Sequence, residues 1–196
     1  MSKPTTKGIF CLEGDWDGDL RSKRSIQPIL DLLGKSNDPT VLSIRRDIGT
    51  IPELEHYLKK WTQQRYRQYP VLYLAFHGDP GVLYVGDHHK YVDLDWIEER
   101  LAGHCQGRVI HFGSCGTMAT HGRRLQTFMK RTGVLAVCGY KVTVDWMLST
   151  AFEIILLSAF QNNALTRSGV RAVHNRIKKE AAGLTRELSF RLEIRK

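Results

Sequence analysis

Val71-Leu-Tyr-Leu-Ala-Phe-His77-Gly78 is the first of two stretches that decide the fold, and the second is Arg108-Val-Ile-His-Phe-Gly-Ser-Cys115-Gly116. Each is an apolar run, rich in β-branched and aromatic residues, that stops at a polar, reactive residue. Such runs are typical of buried strands in a parallel sheet. Ligands bind at the carboxyl ends of the strands in an open α/β sheet. If the two strands are neighbours, as successive strands joined by a helical crossover often are, His77 and Cys115 face each other across one cleft.

The remainder of the chain alternates short apolar runs with amphipathic stretches, which is the pattern of a layered βα domain. The other predicted strands are residues 7–14, 40–45, 134–140 and 188–194, with two short β runs about a turn in residues 81–94. The predicted helices are residues 26–33, 50–66, 123–131 and 147–160, one that begins near Asp93, and one after Ser168. Ser25, Thr50 and Ser168 are the predicted N-caps of three of them. A single domain over residues 1–196 is expected.

The two strand ends resemble the catalytic dyad of the caspase-like cysteine peptidases, which include caspases, metacaspases, gingipains, separases and CHAT domains. His77-Gly78 closes one strand, and Gly113-Ser-Cys-Gly116 closes the next. The segment 134–160 resembles the CHAT pattern of a strand, a Val-Asp turn and an apolar helix, so that the resemblance covers most of the chain. One departure is that the caspase motif Gln-Ala-Cys is absent. The resemblance implies a three-layer α/β/α sandwich with a mostly parallel sheet of about six strands.

The resemblance also implies a function and its residues. Cys115 is the expected nucleophile of a cysteine endopeptidase, and His77 is the expected proton donor and acceptor, because a thiol near neutral pH needs a nearby base or positive charge. The Gly78 and Cys115 amides are the expected oxyanion hole. No cofactor is implied. A protein or peptide is the expected substrate, and a regulatory protein acting in trans is the expected partner.

Asp145 has two interpretations that the sequence leaves open. Its carboxylate lies in the segment after the strand 134–140, and at the floor of a pocket it would select a cationic side chain, which predicts cleavage after Arg or Lys. Its position also fits the N-cap of the helix that begins near Met147. Lys141 in the same segment is able to neutralise Asp145 or to favour an acidic substrate instead.

The composition predicts a soluble globular protein and leaves nucleic acid as a less favoured partner. The 196 residues are 42% hydrophobic and carry a formal net charge of +9. The densest basic cluster, residues 171–196, is interleaved with apolar residues at helical spacing, which favours an amphipathic helix with a solvated basic face. The first residues include no apolar leader, and no apolar run is long enough to span a bilayer. A cytoplasmic protein with no membrane partner is expected.

The other polar residues carry weaker functional interpretations. His88 and His89, with His77, His111 and Cys115, are zinc-ligand types, but no spacing preorganises them, and His111 within a strand is predicted to be a hydrogen-bonded core residue. No metal is expected. The four cysteines lack any Cys-x-x-Cys spacing, so free thiols are expected. The alternative function is a catalytically inactive domain of the same fold that binds protein or nucleic acid.

Overall fold

A computed structural model describes residues 6–19, 21–36, 40–86 and 90–196. The strands within these ranges are β1 (Ile9–Glu13), β2 (Ser43–Asp47), β3 (Val71–Ala75), β4 (Gly78–Asp79), β5 (Val82–Tyr84), β6 (Tyr91–Asp93), β7 (Val109–Gly113), β8 (Ala136–Tyr140) and β9 (Phe190–Ile194). The helices are α1 (Gln27–Ser36), α2 (Ile51–Trp61), α3 (Leu94–Leu101), α4 (Gly122–Thr132), α5 (Trp146–Gln161), α6 (Arg167–Glu180) and α7 (Ala182–Glu187), with a 3-10 turn at Gln64–Tyr66. No helix in these ranges has the length and apolarity needed to cross a membrane.

Six of the strands form the central sheet, in the order β2-β1-β3-β7-β8-β9. All neighbours are parallel except β8 and β9, which are antiparallel. The short strands β4, β5 and β6 form a separate antiparallel sheet immediately after β3. The predicted mostly parallel sheet of six strands and the predicted β hairpin are therefore confirmed, with β4 as an additional strand.

The buried strands separate two layers of helices because their side chains alternate between the two faces of the sheet. On one face, Leu72 and Leu74 of β3 pack in a cluster with α2, α3 and α4. On the other face, Val71 and Tyr73 pack with α1 and with Leu157 of α5, while β8 and β9 pack with α5 and α6. The result is the expected three-layer α/β/α sandwich. Alternate residues of the strands lie on the face that packs against α1, α5 and α6.

Thr50 is the N-cap that the sequence predicted, whereas Ser25 lies one residue before the N-cap position of α1 and still accepts from its first amide. The Ser25 hydroxyl accepts a hydrogen bond from the Gln27 amide at 3.0 Å. The Thr50 hydroxyl accepts from the Glu53 amide at 3.3 Å, so Thr50 is the N-cap of α2. The Glu53 carboxylate accepts in return from the Thr50 hydroxyl and from the Gly49 amide, each at 3.0 Å, a variant of the capping box.

The prediction that Ser168 caps the next helix is wrong. Thr166 has the extended backbone of an N-cap and accepts from the Gly169 amide at 3.1 Å, so α6 begins at Arg167 and Ser168 lies in its first turn. Two helix ends also differ from expectation. α1 continues through Gly34 to Ser36, and α2 ends at Trp61, beyond which the chain passes into the 3-10 turn.

Candidate active site

The sheet brings His77 and Cys115 to one cleft. In the parallel pair β3 and β7, Ala75 lies opposite Gly113, and each strand is followed two residues later by one of the two reactive side chains. Because His77 and Cys115 each lie two residues beyond a paired position, they lie at the same level and on the same side of the sheet. Both line a cleft of about 160 Å³ on the α5 side, with the indole of Trp16 on its wall.

His77 is oriented by a backbone carbonyl. Its Nε2 lies 2.7 Å from the carbonyl oxygen of Trp16, and because a carbonyl can only accept, Nε2 carries the proton in this contact. In this tautomer of the neutral ring, Nδ1 is the acceptor nitrogen. The Trp16 indole also packs edge-on against the imidazole, with ring centroids 5.3 Å apart. Trp16 thus contacts His77 through both its backbone and its ring.

Cys115 lies in a tight turn between β7 and α4 that is held to the segment after β8. Gly116 has a φ of 66°, the left-handed region that favours glycine, and its amide donates to the Val142 carbonyl at 3.0 Å. The Val144 amide donates to the Cys115 Sγ at 3.5 Å. The segment after β8 therefore points a backbone dipole at the sulfur atom that would react.

The other three cysteines are inaccessible. Cys11, Cys105 and Cys138 are fully buried, whereas Cys115 is partly exposed. Burial raises the pKa of Cys11 well above its usual value, and it raises the pKa of Cys105 to about 12 although the nearby Arg108 opposes it. All four are free thiols, as expected, and Cys115 is the one that reagents and substrates can reach.

Gly78 is required by the packing of the turn that carries Cys115. A Cβ atom at Gly78 would lie 2.6 Å from the Thr117 hydroxyl, 2.9 Å from the Val82 carbonyl oxygen and 3.0 Å from that of Cys115. In the structure the neighbour that needs the space is the Cys115 turn itself, so Gly78 fixes the distance between the two strand ends.

A buried polar cluster lies beneath the cleft. Glu153 of α5, which is 4% exposed, accepts hydrogen bonds from the Tyr73 hydroxyl, from the Tyr140 hydroxyl at 3.0 Å and from His111 Nε2 at 3.1 Å. His111 Nδ1 lies 3.5 Å from the Cys138 sulfur. His111 is therefore a hydrogen-bonded core residue, as predicted.

The groups of this buried cluster shift the pKa values of one another. Burial by itself lowers the pKa of His111, but Cys138 and Glu153 outweigh that effect and raise it to about 10. Burial and the Glu153 carboxylate raise the pKa of Tyr73 and of Tyr140, so both keep their protons and donate. Tyr73, Tyr140 and Glu153 also line the cleft and form its polar floor.

Asp145 occupies the N-cap of α5. Its carboxylate accepts from the Leu148 amide at 2.9 Å, and the side chain is exposed. Among the described residues, those that line the cleft include the next residue, Trp146, but not Asp145. The capping role that the sequence allowed is therefore present in the structure.

His88 and His89 lie outside the described residues. The described residues contain no group of three or more His, Cys, Asp or Glu side chains placed to hold a metal ion.

Sequence reasoning missed three contributors to the cleft: Trp16, Val144 and Glu153. The Trp16 carbonyl and the Val144 amide act through backbone atoms, which leave no trace in residue type. Glu153 did leave a signal, because a single acid in a helix that is otherwise apolar nearly all round must find buried donors.

Comparison with known proteins gives a family but no activity. A search of curated proteins found no match. Residues 6–193, which include both strand ends and all of the central sheet except the last residue of β9, match a family of unknown function (DUF6642). Because this match spans nearly all of the 196 residues, the chain belongs to that family.

Proposed function

We propose that the chain is a cysteine endopeptidase, a peptide-bond hydrolase in which Cys115 is the nucleophile and His77 carries the proton. One observation carries the proposal: the accessible thiol and an oriented imidazole line the same cleft at the carboxyl ends of neighbouring strands. The resemblance of the His-Gly and Gly-Ser-Cys-Gly strand ends to the caspase-like peptidases supports the same reaction.

The acylation step uses the two side chains in turn. His77 takes the thiol proton at Nδ1 while Cys115 Sγ forms a bond to the scissile carbonyl carbon, and the negative charge moves to the carbonyl oxygen. We assign the Gly78 and Cys115 amides to this oxyanion. The imidazolium then gives its proton to the amine nitrogen as the C–N bond breaks. The first product leaves as an amine, and the acyl group remains on Cys115 as a thioester.

Water completes the reaction. His77 takes a proton from a water molecule, whose oxygen bonds to the thioester carbon, and the C–S bond breaks as the tetrahedral intermediate collapses. The proton returns to sulfur, so that Cys115 and His77 regain their starting states. The sum is hydrolysis of one peptide bond, and it needs no cofactor.

The substrate in this proposal is a protein or peptide chain. The walls of the cleft include the indoles of Trp16 and Trp146, and its floor carries the hydroxyls of Tyr73 and Tyr140, so it suits one side chain with an apolar stem. We retain Asp145 as the proposed residue that favours Arg or Lys at the cleaved bond, since it is exposed and directly precedes Trp146, which lines the cleft. We also propose that a regulatory protein acts on this site in trans.

Two experiments test the reaction. The first needs no substrate: the rate at which iodoacetamide alkylates Cys115 is followed by mass spectrometry in the wild type and in His77→Ala. The matched control is His121→Ala, at an exposed histidine immediately before α4. The second incubates a peptide library with the wild type, Cys115→Ala and His77→Ala. We expect both site variants to lose cleavage by about 10²-fold or more and to keep the wild-type melting temperature.

The proposal fails if Cys115 is alkylated no faster than a free cysteine and His77→Ala leaves that rate unchanged. It also fails if Cys115→Ala cleaves the library as the wild type does. The first result would favour the alternative, an inactive domain that binds protein or nucleic acid. The second would mean that the observed cleavage does not come from Cys115.

A further inference from the structure

Glu13 is a buried carboxylate at the carboxyl end of β1 that the proposed reaction does not use. It is 1% exposed. Oε1 accepts from the Trp16 indole N–H at 2.6 Å and from the Ile26 amide at 2.8 Å. Oε2 accepts from the Ser25 hydroxyl at 2.9 Å and is ion-paired with Arg45 of β2. A charge buried to this extent is tolerated because these four donors replace its water.

The four donors come from three separate segments. Trp16 lies in the turn after β1, Ser25 and Ile26 lie immediately before α1, and Arg45 lies in the neighbouring strand β2. Glu13 therefore ties the turn after β1 to the start of α1 and to the edge of the sheet. The two carboxylate oxygens have different partners. Oε1 accepts from Trp16 in the turn after β1, whereas Oε2 accepts from Ser25 and Arg45.

Trp16 links Glu13 to His77, because it contacts both residues. Its indole N–H is held by Glu13, its ring packs against His77 and, at a centroid distance of 4.8 Å, against Trp146, and its carbonyl oxygen accepts from His77 Nε2. The indole is thus held by a charge-assisted hydrogen bond at its N–H and by T-shaped packing against two rings. A fixed indole fixes the direction of its own backbone carbonyl.

We propose that Glu13 is a positioning residue for His77: by holding the Trp16 indole it keeps the Trp16 carbonyl on Nε2, and so determines that Nδ1 serves Cys115. The inference rests on the proposed function of the Cys115 and His77 pair. The carbonyl selects the Nε2–H tautomer of the neutral ring, and it stabilises the imidazolium that forms when the thiol gives up its proton.

Two readouts test this chain of contacts in the full-length protein. Nitrogen-15 NMR of labelled histidine, assigned by comparison with His77→Ala, reports which ring nitrogen of His77 carries the proton. The pH profile of Cys115 alkylation by iodoacetamide reports the fraction of Cys115 that is thiolate at each pH, because the thiolate is the form that reacts. The principal variant is Trp16→Phe, which keeps an aromatic ring and the backbone carbonyl but removes the indole N–H. Glu13→Gln is the second variant, in case the smaller ring disturbs folding.

The matched control is Ser25→Ala. It removes a hydrogen bond to the same carboxylate, but through Oε2, and it lies outside the described residues that line the cleft. We expect Trp16→Phe and Glu13→Gln to give a mixture of His77 tautomers, to move the alkylation profile to higher pH, and to slow alkylation at neutral pH about tenfold, which corresponds to about 1.4 kcal/mol. We expect Ser25→Ala to lower the melting temperature and to leave both readouts at their wild-type values.

The outcomes separate this inference from the function on which it rests. If His77→Ala slows alkylation of Cys115 but Trp16→Phe and Glu13→Gln keep the wild-type tautomer and pH profile, the pair is functional and the positioning role of Glu13 is refuted. If Ser25→Ala changes both readouts as much as Trp16→Phe does, the effect is a general loss of structure, and the specific role is again refuted. If His77→Ala itself changes nothing, the proposed function fails.

Discussion

At the scale of single residues, the cleft depends on two backbone groups as much as on its two reactive side chains. The Trp16 carbonyl contacts His77 Nε2, and the Val144 amide contacts Cys115 Sγ. Neither group can be deleted by an ordinary substitution, so the geometry of the pair depends on the turns that carry them. Beneath the pair, Glu153 and His111 form a buried ion pair whose partners are also buried.

The His111 and Glu153 pair predicts a dependence of stability on pH. The pKa of His111 is raised from 6.5 to about 10 in the folded chain, so the folded state keeps a proton that the unfolded state has released. The stabilisation is therefore fully present below pH 6.5 and is lost as the pH rises through about 10. We expect the free energy of unfolding to fall across this interval by no more than about 1.4 kcal/mol per pH unit from this group.

Urea unfolding of the wild type and of His111→Gln at a series of pH values measures this contribution. Glutamine retains a donor for Glu153 but does not titrate, so the variant should be less stable than the wild type at neutral pH and should lose less stability towards alkaline pH. Parallel curves for the two proteins would show that His111 is neutral in the folded state.

At the scale of elements, α5 performs three tasks from one helix. Its N-cap is Asp145, its first residue Trp146 forms part of the cleft wall, and Glu153 contributes to the cleft floor two turns later. The helix is buried along most of its length, so its start is fixed relative to β8. A change at the cap would therefore act on stability and, in the proposed function, on substrate recognition.

Two substitutions of Asp145 separate these effects. Asparagine caps a helix about as well as aspartate but has no charge, whereas alanine does neither. We expect Asp145→Asn to keep the wild-type melting temperature and to weaken cleavage after Arg or Lys. We expect Asp145→Ala to lower the free energy of unfolding by about 1 kcal/mol as well. If Asp145→Asn cleaved the same peptides at the same rates, Asp145 would be a cap alone and the recognition role would be withdrawn.

The order of elements could be predicted from the sequence because it depends on local patterns. Apolar runs such as Val71–Ala75 identified the buried strands, and capping residues such as Thr50 identified helix starts. The cap of α6 was misplaced because Thr166 and Ser168 are both good caps and only the backbone decides between them. The contacts of Glu13 could not be predicted, since its partner Arg45 is 32 residues away and lies on another strand.

At the scale of the whole molecule, the formal net charge is +9, and α6 carries part of the basic excess on a solvated face. α6 buries Val170, Val173 and Ile177, and its basic residues Lys178 and Lys179 are exposed. This is the amphipathic arrangement that the sequence predicted for the basic cluster of residues 171–196, although the helix covers only its first part and the remainder includes α7 and β9. Each of the three hydrophobic clusters contains side chains from strands of the central sheet together with side chains from helices. The sheet therefore connects the clusters, and we expect the chain to unfold as one unit.

The positions of the buried cysteines provide a test of that cooperativity. Cys11 lies in β1, Cys138 lies in β8, and Cys105 lies between α3 and β7 among the side chains that pack with α2, α3 and α4. These three thiols therefore sample both faces of the sheet and two well-separated strands. In a Cys115→Ala background, which removes the accessible thiol, we expect none of the three to be labelled by iodoacetamide in buffer.

With increasing urea, we expect Cys11, Cys105 and Cys138 to become reactive at one common midpoint, because in a single cooperative domain a buried side chain on either face is exposed only by global unfolding. Labelling at each cysteine is measured by mass spectrometry of tryptic peptides and compared with the loss of helical circular dichroism. A midpoint for Cys138 that differed from that for Cys11 would place a boundary of cooperative unfolding between β1 and β8, an interval that includes the junction of β3 and β7. It would contradict the prediction of a single domain. A common midpoint would mean that the two halves of the candidate active site are held together by the full stability of the fold.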